Sequence, residues 1–448
     1  MPAGATTYEG KEGRKMRKPF RDTRSVCPVC LRPVKAQLCR EEEAGAVFLQ
    51  KSCPSHGAFS VPVWRGKVPF DQWTANAQPL GPEEGLYCPS ACGICPEHGQ
   101  GTCCVLLEVT RRCDLFCQYC FANGGGMAED PPLDELKRAV DDILRQCGKP
   151  LLQLSGGEPS LRDDLPELIA YARKQGCETI QLNTNGLRLA REPEYAARLA
   201  EAGLSIVFLQ FDGVSDQVYE ALRGAKLYEE KMRAIENCNR VRTGVTLVPT
   251  VVRGVNDQML GEIIRLGASL SPAVRGVHFQ PVSHFGRYPV VPQDGMRITL
   301  DELIDGICRQ TGLSLDVFQP SCCDHPLCGF HISALASPCC CGVKPLPVSR
   351  QEPVSTAEQN RDYIARRWQR GPSQDGEDAG SLNDPKALDM NAFLRLLRTR
   401  SFTITAMAFQ DAWNLDIERL HRCSLHVYNK GMVKPFCANY LTAAQAEN

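Results

Sequence analysis

The chain has 448 residues, 51 Lys and Arg against 52 Asp and Glu, and 24 cysteines. So even a charge balance supplies no field to hold a polyanion, and nucleic acid is not an expected partner. No run of about 18 apolar residues could span a bilayer. Residues 1–15 lack the apolar core of a signal peptide. A cytoplasmic protein without a membrane span is expected.

The cysteines carry most of the information. Between Cys120 and Cys308 only Cys147, Cys177 and Cys238 occur, each alone, and the rest cluster on either side. In a reducing compartment, thiols at short regular spacings point to metal ligands or reactive groups, not disulfides.

In chain order, residues 1–24 read as a flexible tail carrying a basic group (Lys11, Arg14, Lys15, Arg17, Lys18, Arg21, Arg24). Residues 25–65 read as a small β-rich unit in which Cys27-Pro-Val-Cys30 and Cys53-Pro-Ser-His56 bracket an apolar strand. Two tight turns presenting Cys27, Cys30, Cys53 and His56 form a zinc-ribbon or rubredoxin-like knuckle for one mononuclear zinc or iron, with Cys39 the alternative fourth ligand. Residues 66–104 are rich in Pro and Gly and hold Cys88, Cys92, Cys95 and Cys103. Four thiolates can complete an auxiliary 4Fe-4S cluster; a structural zinc is the other reading.

From 105 to 310, β-branched runs alternate with helical periods. Strands are predicted at Val105–Val109, Leu151–Leu154, Thr179–Asn183, Ser205–Phe211, Gly244–Thr250 and Gly276–Gln280. Six strands alternating with helices predict a parallel α/β sheet, doubly wound or part of a barrel, with ligands at the strands' carboxyl ends. Residues 311–448 form a cysteine-rich C-terminal region with a mobile linker over about 349–386 and order returning near Asn391–Leu397 and Phe402–Phe409. Cys323, Cys328, Cys423 and Cys437 are candidates for a second auxiliary cluster. In Cys339-Cys340-Cys341, adjacent residues diverge too far to share one metal.

The loop after the first of these strands reads Cys113-Asp-Leu-Phe-Cys117-Gln-Tyr-Cys120. Three thiolates can cap three irons of a cubane and leave the fourth open to substrate or cofactor, as open positions do in catalytic metal sites. Cys88, Cys92 and Cys95 share that spacing, but no parallel-sheet strand precedes them. The loop after the second strand reads Ser155-Gly156-Gly157-Glu158-Pro159, where glycines permit close backbone approach.

The three-cysteine loop followed by Gly156-Gly157-Glu158-Pro159, each at a strand's end, resembles the radical S-adenosylmethionine (SAM) superfamily. The wider set of CPSACGICPEH, LEVTRRCDLFCQYCFA, QLSGGEP, IQLNTNGLRLA, VFLQFDG, RGVHFQPVSHFGRYP and PFCANYLT resembles one branch. That branch holds the TrsS radical SAM (seleno)proteins, to which the motifs are most similar, together with pterin dimethyltransferase-like methylases and tetraether lipid synthase. The resemblance implies a partial (β/α)6 barrel flanked by cysteine-rich metal-binding extensions. It implies a 4Fe-4S cluster on Cys113, Cys117 and Cys120 that binds SAM and reductively cleaves it to a 5′-deoxyadenosyl radical. It also implies one or two auxiliary 4Fe-4S clusters.

By the same resemblance Gly156, Gly157, Glu158, Pro159, Asn183, Asn185, Gln210, Asp212 and Gln280 contact SAM or substrate, and C-methylation or carbon–carbon bond formation at an unactivated carbon is the expected chemistry. A small-molecule or lipid-like substrate, a flavodoxin- or ferredoxin-type electron donor and a partner methyltransferase complete the expectation. Gln210, Asp212, His278, Gln280 and His284 are candidates to touch substrate, the alternative being hydrogen-bonded core groups. Two other functions compete: a radical SAM peptide maturase, and a non-catalytic iron–sulfur carrier that would have no use for an open iron.

Overall fold

A computed structural model describes residues 17–75, 88–89, 93–94, 98–125, 129–321, 323–337, 342–347, 356–370, 396–397 and 399–444. Four antiparallel strands form the N-terminal unit: β1 (Arg17–Val26), β2 (Pro33–Glu41), β3 (Val47–Cys53) and β4 (Gly57–Trp64), paired in that order. Residues 17–24, expected in the flexible tail, are therefore part of a strand. Their charge hid it: β1 is an edge strand, where Lys and Arg discourage further pairing. Arg17 lies 3.4 Å over the Phe48 ring and donates to Ser60.

The second sheet contains every predicted core strand. β5 (Cys104–Thr110), β6 (Leu151–Gly156), β7 (Ile180–Thr184), β8 (Ile206–Gln210), β9 (Gly244–Val248), the short β10 (Thr250–Val251) and β11 (Val274–Pro281) are all parallel. Three further strands precede the C-terminal segment: β12 (Gln319–Pro320), β13 (Gly329–Ala336) and β14 (Val343–Pro345). Then β15 (Ser401–Met407) adds in parallel beside β11, and β16 (Leu425–Asn429) in parallel beside β5, with β17 (Met432–Pro435) antiparallel to it. The six-stranded α/β core is thus extended at both edges into a 13-stranded mixed sheet.

Alternation along the strands sorts the two faces. Val105, Leu107, Leu152, Leu154, Ile180, Leu182, Val207, Leu209, Val245 and Leu247 point to one face and pack with the helices Leu133–Cys147, Leu165–Lys174, Pro193–Glu201, Tyr228–Arg240, Leu260–Ser269 and Leu300–Thr311. The opposite, inner face carries Gln153, Gln181, Asn183, Phe208, Gln210, Thr246 and Val248.

A helix, Ala357–Trp368, packs against this inner face within the stretch expected to be mobile linker. Its polar composition disguised it. A capping box of Thr356 and Gln359 starts it, and Trp368 anchors its end against Ile206, Phe208 and Val248. A Cβ on Gly244 would sit 2.3 Å from the Trp368 carbonyl, so only glycine lets the helix end approach β9. Most of Asn391–Leu397 lies outside the described residues.

The N-terminal unit is fastened to the C-terminal segment through buried polar contacts. Lys51 Nζ donates to Ser25 Oγ (3.0 Å) and to the Ala412 carbonyl (2.7 Å); Ser25 Oγ donates to the Leu415 carbonyl (2.5 Å). Around them Val26, Val61, Leu106, Phe285, Trp413, Leu415 and Phe436 form a second apolar cluster. No helix among the described residues is long and apolar enough to cross a membrane.

Candidate active site and metal centres

The loop following β5 holds Cys113, Cys117 and Cys120, all half-buried free thiols. Its backbone is held on three sides. Gly157 N donates to the Thr110 carbonyl (2.8 Å) and Glu158 N to the Arg112 carbonyl (2.7 Å), while Cys120 and Arg287 exchange backbone bonds of 2.9 and 3.0 Å. Arg287 Nε also donates to the Cys117 carbonyl (2.9 Å), and its guanidinium covers the exposed Phe116 ring at 3.6 Å. Gly124 N points at Cys120 Sγ (3.4 Å), a donor of the kind that stabilises thiolate sulfur. Burial pushes the Cys113 thiol up to about 12, so a metal must supply the energy to deprotonate it.

Close backbone contact also explains the glycine pair. A Cβ on Gly157 would lie 2.1 Å from the Arg112 carbonyl oxygen. The glycines therefore seat β6's loop against the cysteine loop. Glu158 is 1% exposed, and its carboxylate accepts from Ser160 N (3.0 Å), Thr184 Oγ1 (2.6 Å) and Asn185 N (2.6 Å). Pro159 opens a short 3-10 turn after it. Glu158 is thus a tie between the loops of β6 and β7. Asn185 Nδ2 reaches Asp114 Oδ1 (2.6 Å), fastening the β7 loop to the cysteine loop in turn.

Asp212 is similarly engaged. It is fully buried, paired with Arg223 by two bonds of 2.7 Å, and accepts from Thr250 N (3.1 Å). Gln210 donates to its carboxylate. Gln280 lies half-buried at the end of β11, and Asn183 on β7 accepts from Gln181 (2.9 Å). His278 Nδ1 lies 2.8 Å from Thr405 Oγ1, and His284 Nδ1 3.1 Å from Asp411. Asp411 is held far below the carboxylate range; burial opposes this, and Arg297 and His284 override it.

Three participants left no periodic or motif signal in the sequence: Lys231, Arg223 and Asp411. Lys231 is fully buried, donates to the Asn185 carbonyl and to Gln210 Oε1 (2.9 Å), and is pulled down to about 8 by burial. It brings a cation to the carboxyl ends of β7 and β8.

In the N-terminal unit, the ligand atoms of Cys27, Cys30, Cys53 and His56 all lie within 4.8 Å of one another. Cys27 Sγ and Cys53 Sγ stand 3.5 and 3.4 Å from His56 Nδ1, and Cys30 Sγ stands 4.0 Å from Cys53 Sγ. Those separations are edges of a tetrahedron suited to zinc or iron. Cys39 faces Gln50 Oε1 (3.2 Å) and takes no part.

The remaining cysteines group differently from their sequence order. Burial pushes the Cys423 thiol up, and Asp324, Cys437 and Cys328 nearby push it the same way; burial also pushes Cys437 up to about 12. Gln410 N donates to Cys437 Sγ (3.2 Å) and Arg419 to Cys328 Sγ (3.5 Å). Cys323 instead turns toward Cys103 and Ser424 Oγ (3.4 Å). Cys103, expected with Cys88, Cys92 and Cys95, thus sits beside the C-terminal set. Cys88 is half-buried against the cluster containing Cys437. Cys92, Cys95 and Cys339–Cys341 lie outside the described residues.

A family model described as the radical SAM superfamily matches residues 107–267, and one described as the HMPTM N-terminal zinc ribbon domain matches residues 19–65. The chain is 33% identical to the 7,8-dihydro-6-hydroxymethylpterin dimethyltransferase of Methanocaldococcus jannaschii over 93% of its own length and 92% of that protein's. It is 29% identical to the mycofactocin maturase MftC of Mycolicibacterium smegmatis over 40% of this chain and 45% of that one. A structure of Streptococcus suis SuiB bound to S-adenosylmethionine is 15% identical over 48% of each chain, with a TM-score of 0.37. The cysteine loop, the parallel core, the superfamily match and the likeness to the dimethyltransferase identify a radical SAM enzyme that uses SAM and an iron–sulfur cluster, which removes the non-catalytic carrier from consideration. The chain belongs to the radical SAM superfamily and, within it, to the family of the methanogen dimethyltransferase.

Proposed function

We propose that the protein methylates, or joins by a carbon–carbon bond, an unactivated carbon of a small molecule. The observation that carries this is the likeness to the dimethyltransferase over 93% of the chain, through zinc ribbon, core and C-terminal region. Matches to mycofactocin maturases cover about two fifths of the chain. In this reading Cys113, Cys117 and Cys120 hold the 4Fe-4S cluster. When bound, cluster and SAM supply a carbon-centred radical able to take hydrogen from an unactivated carbon.

The chain's own residues position that chemistry. Glu158, Asn185 and Asp114 lock the loops of β5, β6 and β7 to one another. Asn183, Asn185, Gln210 and Gln280, with the cation of Lys231, are the groups we assign to SAM and substrate at the strand ends. Asp212 acts through Arg223 and Gln210. A mononuclear zinc or iron in the ribbon, auxiliary clusters on the outlying cysteines and a flavodoxin- or ferredoxin-type donor belong to the same reading, as does the motif-level likeness to TrsS proteins.

The test is anaerobic loading with iron and sulfide, reduction by dithionite, and incubation with SAM and 7,8-dihydro-6-hydroxymethylpterin. Formation of 5′-deoxyadenosine with one or two methyl groups added to the pterin supports the proposal. An iron-replete protein that makes no 5′-deoxyadenosine overturns it. A second reading, peptide maturation, has the mycofactocin maturases on its side. It predicts 5′-deoxyadenosine formation stimulated by a short precursor peptide and not by a pterin.

A further inference from the structure

The segment that leaves β11, His284-Phe-Gly-Arg287, runs beside the cysteine loop, and the C-terminal part of the chain sets its path. Asp411 accepts from the His284 backbone N–H (3.0 Å), and Thr442 Oγ1 accepts from Gly286 N (2.8 Å). Gly286 has a φ of +52°, and a Cβ there would lie 2.5 Å from the Cys120 carbonyl oxygen. Only glycine lets the segment come close enough for Arg287 and Cys120 to bridge through their backbones.

Arg287 is thereby delivered, half-buried, to the loop. Its Nε donates to the Cys117 carbonyl (2.9 Å), one terminal nitrogen to the Gly124 carbonyl (3.2 Å) and the other to Asn123 Oδ1 (3.4 Å). Those acceptors lie before and after Cys120 in sequence, so one planar fork closes the loop around it. Gly124, gripped at its carbonyl, points its own N–H at Cys120 Sγ (3.4 Å). Every acceptor of Arg287 is neutral. Arg112 pairs with Asp130, and Arg223, which reaches the Tyr119 carbonyl, pairs with Asp212; Arg287 pairs with no carboxylate among the described residues. A guanidinium held only by neutral oxygens keeps its charge uncompensated. Three thiols stand in this same loop, and metal binding makes them anions.

We propose that Arg287 is a positioning residue with an electrical role: it holds the Gly124 N–H on Cys120 Sγ and fixes a positive charge beside the three-thiol site, favouring the reduced state of the cluster bound there. Reduction takes one electron from an external reductant and no proton, so it adds one negative charge to the centre. A neighbouring cation and an N–H···S bond both stabilise that added charge and raise the reduction potential. Cleavage of SAM begins with this electron, so a residue that eases its arrival serves the reaction without touching substrate. A merely mechanical brace would need the fork of Arg287 and not its charge, and the two are separable by substitution. This assignment rests on Cys113, Cys117 and Cys120 holding the SAM cluster, as in the proposed function.

The test is a redox titration of the anaerobically loaded full-length protein with dithionite, followed by EPR on the cluster signal that SAM alters. Wild type is compared with Arg287→Gln, which keeps a donor and drops the charge, and Arg287→Lys, which keeps the charge and drops the fork. At a fixed poise the ratio of reduced to oxidised cluster should fall about tenfold in Arg287→Gln, a midpoint about 59 mV lower for a one-electron couple. That is the effect of one unit charge about 12 Å away at an effective dielectric constant of about 20. Arg287→Lys should recover at least half of the shift, and both variants should keep the iron content of wild type. A midpoint in Arg287→Gln equal to that of wild type, or one in Arg287→Lys as low as in Arg287→Gln, overturns the proposal. Loss of iron from either variant reduces Arg287 to a structural brace and overturns it too. In all three cases a wild-type signal that responds to SAM leaves the cluster assignment standing; a wild-type protein with full iron content and no such signal overturns both.

Discussion

Acidification probes the inner face of the sheet through His278. Its ring packs on Phe208 at 5.2 Å with Nδ1 2.8 Å from Thr405, and burial pulls it down to about 4 from an ordinary value of 6.5. Because the folded-state value lies below the unfolded one, the folded chain binds fewer protons there. Its contribution is whole above about pH 6.5 and is lost as the pH falls toward about 4. At pH 5 the unfolded histidine is almost fully protonated while the folded one is still mostly neutral. A gap of about 1.5 pH units at 1.36 kcal/mol each gives a loss of about 2 kcal/mol from this residue. Urea denaturation at pH 7 and pH 5 of wild type and His278→Gln isolates it, since glutamine can still bond Thr405 but does not titrate. The variant should lose about 2 kcal/mol less stability than wild type between the two conditions. Parallel losses in both proteins would refute the reasoning.

Lys231→Met removes the buried cation that donates to Asn185 and Gln210, and the KM for SAM should rise about tenfold with iron content unchanged; an unchanged KM would contradict its placement in the site. Asp411→Asn leaves Arg297 buried without its counter-charge and should cost about 3–5 kcal/mol in denaturation; a loss below about 1 kcal/mol would show that the pair matters little. Cys30→Ser should release the ribbon's metal and quicken amide hydrogen exchange over 410–416, where Lys51 and Ser25 hold the Ala412 and Leu415 carbonyls. Unaltered exchange there would mean that the ribbon's metal does not support this contact.

The core was readable because its signals are local. β-branched runs such as Gly244–Val248 alternate with amphipathic helices, and Cys113–Cys120 and Gly156–Pro159 fall where strands end. The roles of single residues were less readable, since they depend on contacts distant in sequence. Glu158 and Asp212 carry motif positions, yet their carboxylates are taken up by Asn185 and Arg223. Lys231 lies on a helix whose sequence looks solvated, and only the fold turns it inward. Residues 17–24 and 357–368 read as polar coil because an edge strand and a capped polar helix carry little apolar pattern. The grouping of Cys103 beside Cys323 could not follow from spacing, because more than two hundred residues separate them.

Mössbauer spectroscopy on protein loaded with enriched iron, before and after adding SAM, tests most directly whether Cys113, Cys117 and Cys120 leave one iron open. One site of that cluster should change its isomer shift when SAM is added, and the change should vanish in Cys120→Ser while the ribbon keeps its metal. Spectra that do not respond to SAM in a protein with full iron content would contradict the account.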